Sequence, residues 1–418
     1  MAKKEYDWRT GVALEDHTRK KLDILRSYFR NYLRVKCTPL NRRFRIAIVD
    51  GMAGGGIYEG GAPGSPLVFL QELASFLDET TTWRKDQGLP ELEIECLIIV
   101  NDNSKDAWQT LNPLLSAWQE EHAGNDKLQV TIVRLERKFE DVYGDIKKRI
   151  LESKHSNVLF NLDPCGYTQV GLQTIQDIIV SFKNPEVFFT FMIGALLNYS
   201  SWNNPQKTHK LVQGFGIKQD EFFGDEALRT KGEWLGTVER VLHGEVLNIA
   251  NYVSPFAINR ANNAGYNYWL MHFSKSHRAR EVYNDVLHLN AGGQAHFGKS
   301  GLKMLDYRSD DSGVGTLDWG SDMRPKNVEA LHSDLPEFIA EFGDTITVGM
   351  LKASIYNDTT IHSEDLKKVL IENQDIEVFT QAGHLRRSSI KDEDVVRVTV
   401  QKNLFPAFPK KLNHGKSN

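Results

Sequence analysis

Five short apolar runs punctuate the first half of the chain: "FRIAIVD" (44–50), "ECLIIVND" (95–102), "LQVTIVRL" (128–135), "NVLFNLD" (157–163) and "EVFFTFM" (186–192). Between them lie segments of helical character: "PLVFLQELASFLDE", "KDAWQTLNPLLSAWQEEH", "FEDVYGDIKKRILES" and "LQTIQDIIVSF". Strands that alternate with helices need crossover connections, which give a mostly parallel sheet covered on both faces. The alternation predicts an α/β fold with a Rossmann-like core over 44–289. A further strand, "YNYWLMHFS" (266–274), and the helix "HRAREVYNDVLH" close that region, and 200–265 reads as an insertion or substrate region with one helix near "TVERVLHGEVLNIANYV".

The flanks differ. Residues 1–43 form a basic helical segment, in which "HTRKKLDILRSYFRNYLRVK" places Leu22, Leu25, Tyr28, Phe29, Tyr32 and Leu33 at helical spacing. Residues 290–345 are rich in Gly, Asp and Ser and read as a linker. Beyond them, "ITVGMLKASIYN" and "SEDLKKVLIENQ" read as helices, the second with Ser363 as N-cap. "DIEVFTQ" and "DVVRVTVQ" read as strands around a turn at Ala382-Gly383. Together they predict a winged-helix-like module with a basic tail over 346–418.

The three cysteines, Cys37, Cys96 and Cys165, are scattered and form no C-x-x-C pair, so neither a disulfide framework nor a cysteine metal site is expected. With no signal-peptide pattern and no membrane-length apolar run, the expectation is a cytoplasmic protein without a membrane partner. Net charge is −4, yet Arg19 to Arg45 holds ten Lys or Arg against one acid, Asp23. After Asp394 five more cations follow and no acid. Such segments form either a phosphate-binding surface or a solvated face and tail. The residues named for phosphate contact are Arg26, Arg30, Arg34, Lys367 and Lys368.

The first strand runs into "VDGMAGGGIYEGGAPGSP". A glycine-rich turn there either lets a ligand approach the backbone or is only a structural turn. No Gly-Lys-Ser/Thr ends it, so a P-loop is disfavoured. An acid followed by Gly-x-Gly is instead the pattern found around the amino-acid part of S-adenosylmethionine, which makes Asp50, Gly51, Ala53, Gly54 and Gly56 candidate cofactor contacts. Asp102, after the second strand, is placed either for ribose hydroxyls or for capping the next helix, a role open equally to Asn103 and Ser104. Glu136 after the third strand is a candidate near adenine.

The fourth strand ends in "NLDPCGY". Pro164 removes a donor and biases Asp163 to extended backbone. Its carboxylate then faces the cleft, where it and the Pro164 carbonyl accept hydrogen bonds from an acceptor amine, and Tyr167 stacks on a flat base. The alternative is a β-turn, "DPCG". Cys165 follows a proline as the nucleophile of cytosine C5-methylation does, but its place at the strand end favours amine recognition. His272, His277 and His288 make no ligand set, and His272 reads as a core residue.

With "VDGMAGGG…GSP", "NLDPCGY" and "YNYWLMHFSKSHRAREVYNDV", the chain resembles the three-Cys-motif partner protein family, over roughly His17 to His288. The resemblance implies a methyltransferase-like core, S-adenosylmethionine as cofactor and a three-Cys-motif protein as partner. Asp-Pro-x-Gly also resembles the site of tRNA guanine N2-methyltransferases. The expected function is S-adenosylmethionine-dependent methylation of a nitrogen on a DNA or RNA base, without a metal. The alternatives are a non-catalytic cofactor- or partner-binding protein and a small-molecule or peptide methyltransferase.

Overall fold

A computed structural model describes residues 7–164, 170–192, 242–259, 266–290, 294–295, 300–304 and 323–399. Tyr167 and Cys165 lie outside the described residues, as does most of 200–265. The elements of the core are α1 (Asp16–Lys36), β1 (Arg43–Asp50), α2 (Ser65–Asp86), β2 (Glu93–Asn101), α3 (Lys105–His122), β3 (Leu128–Leu135), α4 (Phe139–Ser153), β4 (Asn157–Leu162), α5 (Leu172–Ser181), β5 (Asn184–Phe191), β6 (Tyr252–Asn259), β7 (Tyr266–Ser274), α6 (His277–Leu289) and β8 (Gln294–Ala295).

These strands form one eight-stranded sheet in the order β3-β2-β1-β4-β5-β7-β6-β8. β1 to β5 are parallel, and β7 pairs antiparallel with both β5 and β6. The chain is therefore α/β with a mostly parallel central sheet and a Rossmann-like core. β6 was not legible in "YVSPFAIN", because Pro255 interrupts it and a proline demotes a strand reading.

Side-chain alternation sorts the core into two layers. Ala47 and Val49 of β1 face the layer built by α4 and α5, while Ile46 and Ile48 face the layer built by α1, α2, α3 and α6. Strands buried on both faces read as continuous apolar runs, which is why the sequence exposed them. Truncating Ile48, fully buried in β1, to Ala costs roughly 2–5 kcal/mol through lost burial and the cavity left behind.

Helix α1 is a core element. Tyr28 donates to the buried Glu186 of β5, and its ring packs with Phe188, His272 and Tyr283. His272 is fully buried as expected, its Nε2 lying 3.5 Å from Glu186, and burial lowers its pKa. At the far end of α1 the buried Arg84 of α2 gathers carbonyls from three chain segments. Its Nη1 donates to Asn41 (2.6 Å) and Pro90 (3.0 Å), and its Nη2 to Thr38 (2.8 Å) and Cys37 (3.4 Å). Cys37 and Cys96 are buried free thiols, and burial pushes Cys37 up to about 12.

The C-terminal part contains α7 (Met323–Glu341), β9 (Thr345–Thr347), α8 (Val348–Ile355), α9 (Ser363–Glu372), β10 (Ile376–Phe379) and β11 (Val395–Val398). α7 corrects the reading of 290–345 as linker: Leu331, Leu335 and Ile339 recur every four residues and are fully buried. Pro325 and Pro336 hid that pattern. The three strands form an antiparallel sheet, β10-β11-β9. The N-cap of α9 is His362, whose Nδ1 accepts from the Glu364 amide, rather than Ser363, whose amide and hydroxyl both donate to Asp285 of α6 at 2.7 Å. α6 carries a second polar seam to this part. The buried Glu281 accepts from Tyr356 (3.0 Å) and pairs with Lys352 (2.9 Å) and Arg278. Burial alone would raise the Glu281 carboxyl, but the two cations outweigh it and hold it below its ordinary value. No helix among the described residues is long and apolar enough to cross a membrane.

Candidate functional site

In a sheet of order 3-2-1-4-5 the helices change sides between β1 and β4, and a crevice opens at the carboxyl ends of those strands. The glycine-rich loop after β1 is sewn across this crevice. The Gly51 amide donates to the Asn161 carbonyl of β4 (2.9 Å), and the Ala53 amide donates to the Asn101 carbonyl of β2 (2.9 Å). Asn101 returns a bond from Nδ2 to the Gly51 carbonyl (2.9 Å). The Gly54 amide donates to Asp102 Oδ2 and the Ser104 amide to Oδ1, each at 2.8 Å. Ser104 caps α3, accepting from the Ala107 amide at 3.3 Å. The two readings of Asp102 thus divide: Ser104 takes the cap, and Asp102 ties the cap to the loop.

Asp50 is fully buried at the end of β1. Burial pushes its carboxyl from near 3.8 up to about 7, the Ser65 hydroxyl and Asn161 amide pull it down, and the charges of Asp163 and Asp102 add to the rise. Asn161 Nδ2 donates to Oδ1 at 3.3 Å. Oδ2 is buried without a well-formed hydrogen bond, and the nearby Ser65 hydroxyl lowers the carboxyl more than Asn161 does.

The glycines are needed for a reason the sequence did not expose. A Cβ on Gly54 would lie 2.6 Å from Trp8, and one on Gly55 would lie 2.4 Å from the same indole. On Gly51 it would meet Leu162 at 2.7 Å and Phe139 at 2.9 Å, and on Gly56 it would meet Leu111 at 2.5 Å. Gly54 also has φ 62°, a left-handed backbone that side chains resist. Much of the closeness is therefore to the chain itself. The segment ahead of α1 is strapped over the loop: Glu59 donates from its amide to the Val12 carbonyl (2.9 Å), and Arg9 pairs with Asp106 (2.7 Å).

Asp163 follows β4 at the same edge, and Pro164 is buried behind it. Its carboxylate holds Lys21 of α1, with Nζ 2.7 Å from Oδ1 and 2.6 Å from Oδ2. Lys21 also lies over the Tyr268 ring, 5.3 Å from its centroid. Tyr268, near the start of β7, stacks on His17 (centroids 4.9 Å apart), with its hydroxyl 3.2 Å from His17 Nε2. The antiparallel direction of β7 brings Tyr268 to this edge. Lys21 and His17 lie one and two turns ahead of Leu25 on the stripe that continues through Tyr28 and Tyr32. A lone cation on an apolar stripe was the signal that could have singled out Lys21. No such signal marks Trp8.

The phosphate candidates have other occupations. Arg30 is mostly buried and pairs with Glu72 (3.2 Å) and with Glu79 of α2. Arg26 is half-buried and Arg34 exposed. Lys367 pairs with Glu364 (2.7 Å), and Lys368 lies 4.0 Å from Glu372. Glu136 is exposed beyond β3. Among the described residues no three His, Cys, Asp or Glu side chains converge as a metal would need. A surface depression lies at the opposite edge, between Arg42, Arg43 and Pro90, away from these acids.

No protein-family model matches this chain, and no curated protein matches it.

Proposed function

We propose that the chain is an S-adenosylmethionine-dependent methyltransferase acting on a nitrogen of a nucleic-acid base, in the manner of the three-Cys-motif partner family and with such a partner. The observation that carries this reading is the buried, protonatable Asp50 under a glycine loop stitched to β2 and β4 at the switch point. The sheet order supports it as well. The usual dinucleotide-binding sheet is mostly parallel in the order 3-2-1-4-5-6, whereas here β7 is slotted antiparallel between β5 and β6, which counts against a dinucleotide.

The residues fit the cofactor at two points. Asp50 offers a buried carboxylate oxygen lacking a well-formed hydrogen bond, suited to an ammonium acting through the loop. Asp102 follows β2 beside the glycine loop, where its carboxylate, already accepting from the Gly54 and Ser104 amides, is placed for ribose hydroxyls. When bound, S-adenosylmethionine supplies a methyl group on a sulfonium, whose carbon–sulfur bond breaks with its electron pair left on sulfur. Asp163 and the Pro164 carbonyl orient the acceptor amine, and Asp163 takes the proton that the methylated nitrogen sheds. The protein's part is alignment and charge placement. In the C-terminal part the order α7, β9, α8, α9, β10, β11, with β11 central, supports a winged-helix reading and α9 as the helix offered to phosphates.

Isothermal titration with S-adenosylhomocysteine tests the cofactor. Binding is expected, and binding of a nicotinamide dinucleotide in its place sinks the reading. Anisotropy of labelled DNA and RNA tests the acceptor. Affinity should fall with salt with a slope of about −0.9 per duplex phosphate neutralised or about −0.7 per single-strand phosphate. Arg34 is the α1 cation to reverse, since reversing Arg30 would also break its pairs with Glu72 and Glu79. A flat salt response would move the acceptor to a small molecule or protein.

A further inference from the structure

Lys21 is the least expected member of the carboxyl edge. It is carried on the buried stripe of α1, and its side chain is 12% exposed, whereas that of Asp163 is 36% exposed. The lysine therefore approaches from beneath while the acid keeps an open side. His17 and Tyr268 buttress it from α1 and β7. We infer that Lys21 and Asp163 together read the acceptor, taking the edge of a base in which an exocyclic amine stands beside a ring nitrogen, as in adenine and cytosine. This rests on the methyltransferase reading and narrows its substrate class.

An ammonium beside a carboxylate is a donor beside an acceptor. The complementary planar edge presents an amine hydrogen to Asp163 and a lone pair to Lys21, the pattern of the Watson–Crick edge of an extruded base. Uracil has no exocyclic amine: with its carbonyl at that position it sets an acceptor against Asp163 and its ring N–H against the Lys21 ammonium, so it pairs only out of register. A protein lysine would bring a second cation against Lys21 and is disfavoured by like-charge repulsion. The acid keeps an open side through which an edge can enter, and the lysine stem has rotatable donors. An entering edge therefore exchanges the Lys21–Asp163 contact for two hydrogen bonds, so that neither charge is left without a partner.

The test uses the full chain saturated with S-adenosylhomocysteine, titrated with CMP, AMP and UMP by calorimetry or saturation-transfer NMR. CMP and AMP should bind about tenfold more tightly than UMP, the discrimination expected of one paired donor–acceptor contact. Asp163→Ala, which removes the acceptor for the amine, should erase that preference, Lys21→Met should weaken it, and Lys21→Arg, which keeps a cationic donor, should retain it. Equal binding of CMP and UMP to the wild-type protein overturns the inference without any variant. So does a preference that is undiminished in Lys21→Met or survives in Asp163→Ala, which would leave the ion pair a purely structural lock. A protein that binds S-adenosylhomocysteine but none of the three nucleotides sinks this inference and leaves the cofactor reading standing. Failure to bind S-adenosylhomocysteine removes both.

Discussion

The ends of β1 and β4 lie side by side, and each finishes an apolar strand with an aspartate. Asp50 is sealed, fully buried, with its carboxyl pushed up to about 7. Asp163 is partly open and grips a lysine from another element. The same residue type in adjacent positions thus has two roles set by surroundings alone. One is a neutralisable group inside the scaffold, and the other is a charged group at the cleft. Burial separates them, and burial is set by which helices and loops cross above each strand end.

The largest effect that would break this contrast comes from Asp50→Asn. The folded protein holds the Asp50 proton up to about pH 7, while the unfolded chain releases it near its ordinary value of 3.8. Between those values the unfolded state binds fewer protons, so stability is lost as pH rises from about 4 to about 7 and levels off above. The gap corresponds to about 4 kcal/mol. The amide substitution should change little at pH 4 and stabilise the protein by a few kcal/mol at pH 8, up to about that value. Urea denaturation at both pH values measures it, and an effect equal at the two would mean that Asp50 is ionised in the fold.

A smaller effect tests how the loop above Asp50 is sealed. Gly55→Ala drives a methyl into the Trp8 indole. Trp8→Ala removes that obstacle, so the double variant should lose less stability than the two single losses combined. Contacting residues typically couple by about 0.5–3 kcal/mol. Strict additivity in urea melts would mean that Trp8 does not cover the loop in solution.

The smallest effect on stability belongs to Asp163→Ala. The pair it breaks has an open acid but a nearly buried lysine, so the loss should be about 1–2 kcal/mol, between that of an exposed and a buried pair, with methyl transfer reduced on the order of 10²–10³-fold. A stability loss matching that of a core truncation would place Asp163 with Asp50 as part of the scaffold.

The sequence disclosed the strands buried on both faces, because burial writes itself as unbroken runs of Ile, Val and Phe. It disclosed the acids at the strand ends for the same reason, since each run stops at them. It disclosed less wherever a residue acts across the fold. Lys21 sits 142 residues from Asp163, and Trp8 reaches Gly54 and Gly55 from the far side of α1. The cations of α1 read as one basic surface. In the fold they part ways, with Arg30 on acids of α2, Lys21 on Asp163 and Arg34 exposed. β6 and α7 were obscured by prolines, which tertiary packing tolerates where local rules count against them.

Arg84 has a further consequence, one of kinetics. Its guanidinium is fully buried, and its partners belong to the end of α1, the turn at 38–41 and the segment before β2. Local opening of any one of these strands a cation inside the others. These segments should therefore exchange their amide hydrogens at a common, slow rate, as one cooperative unit. Among the described residues the opposite edge is held instead by separate contacts, the strap over the glycine loop and the Lys21–Asp163 pair, so its segments should open one at a time while the other end stays shut.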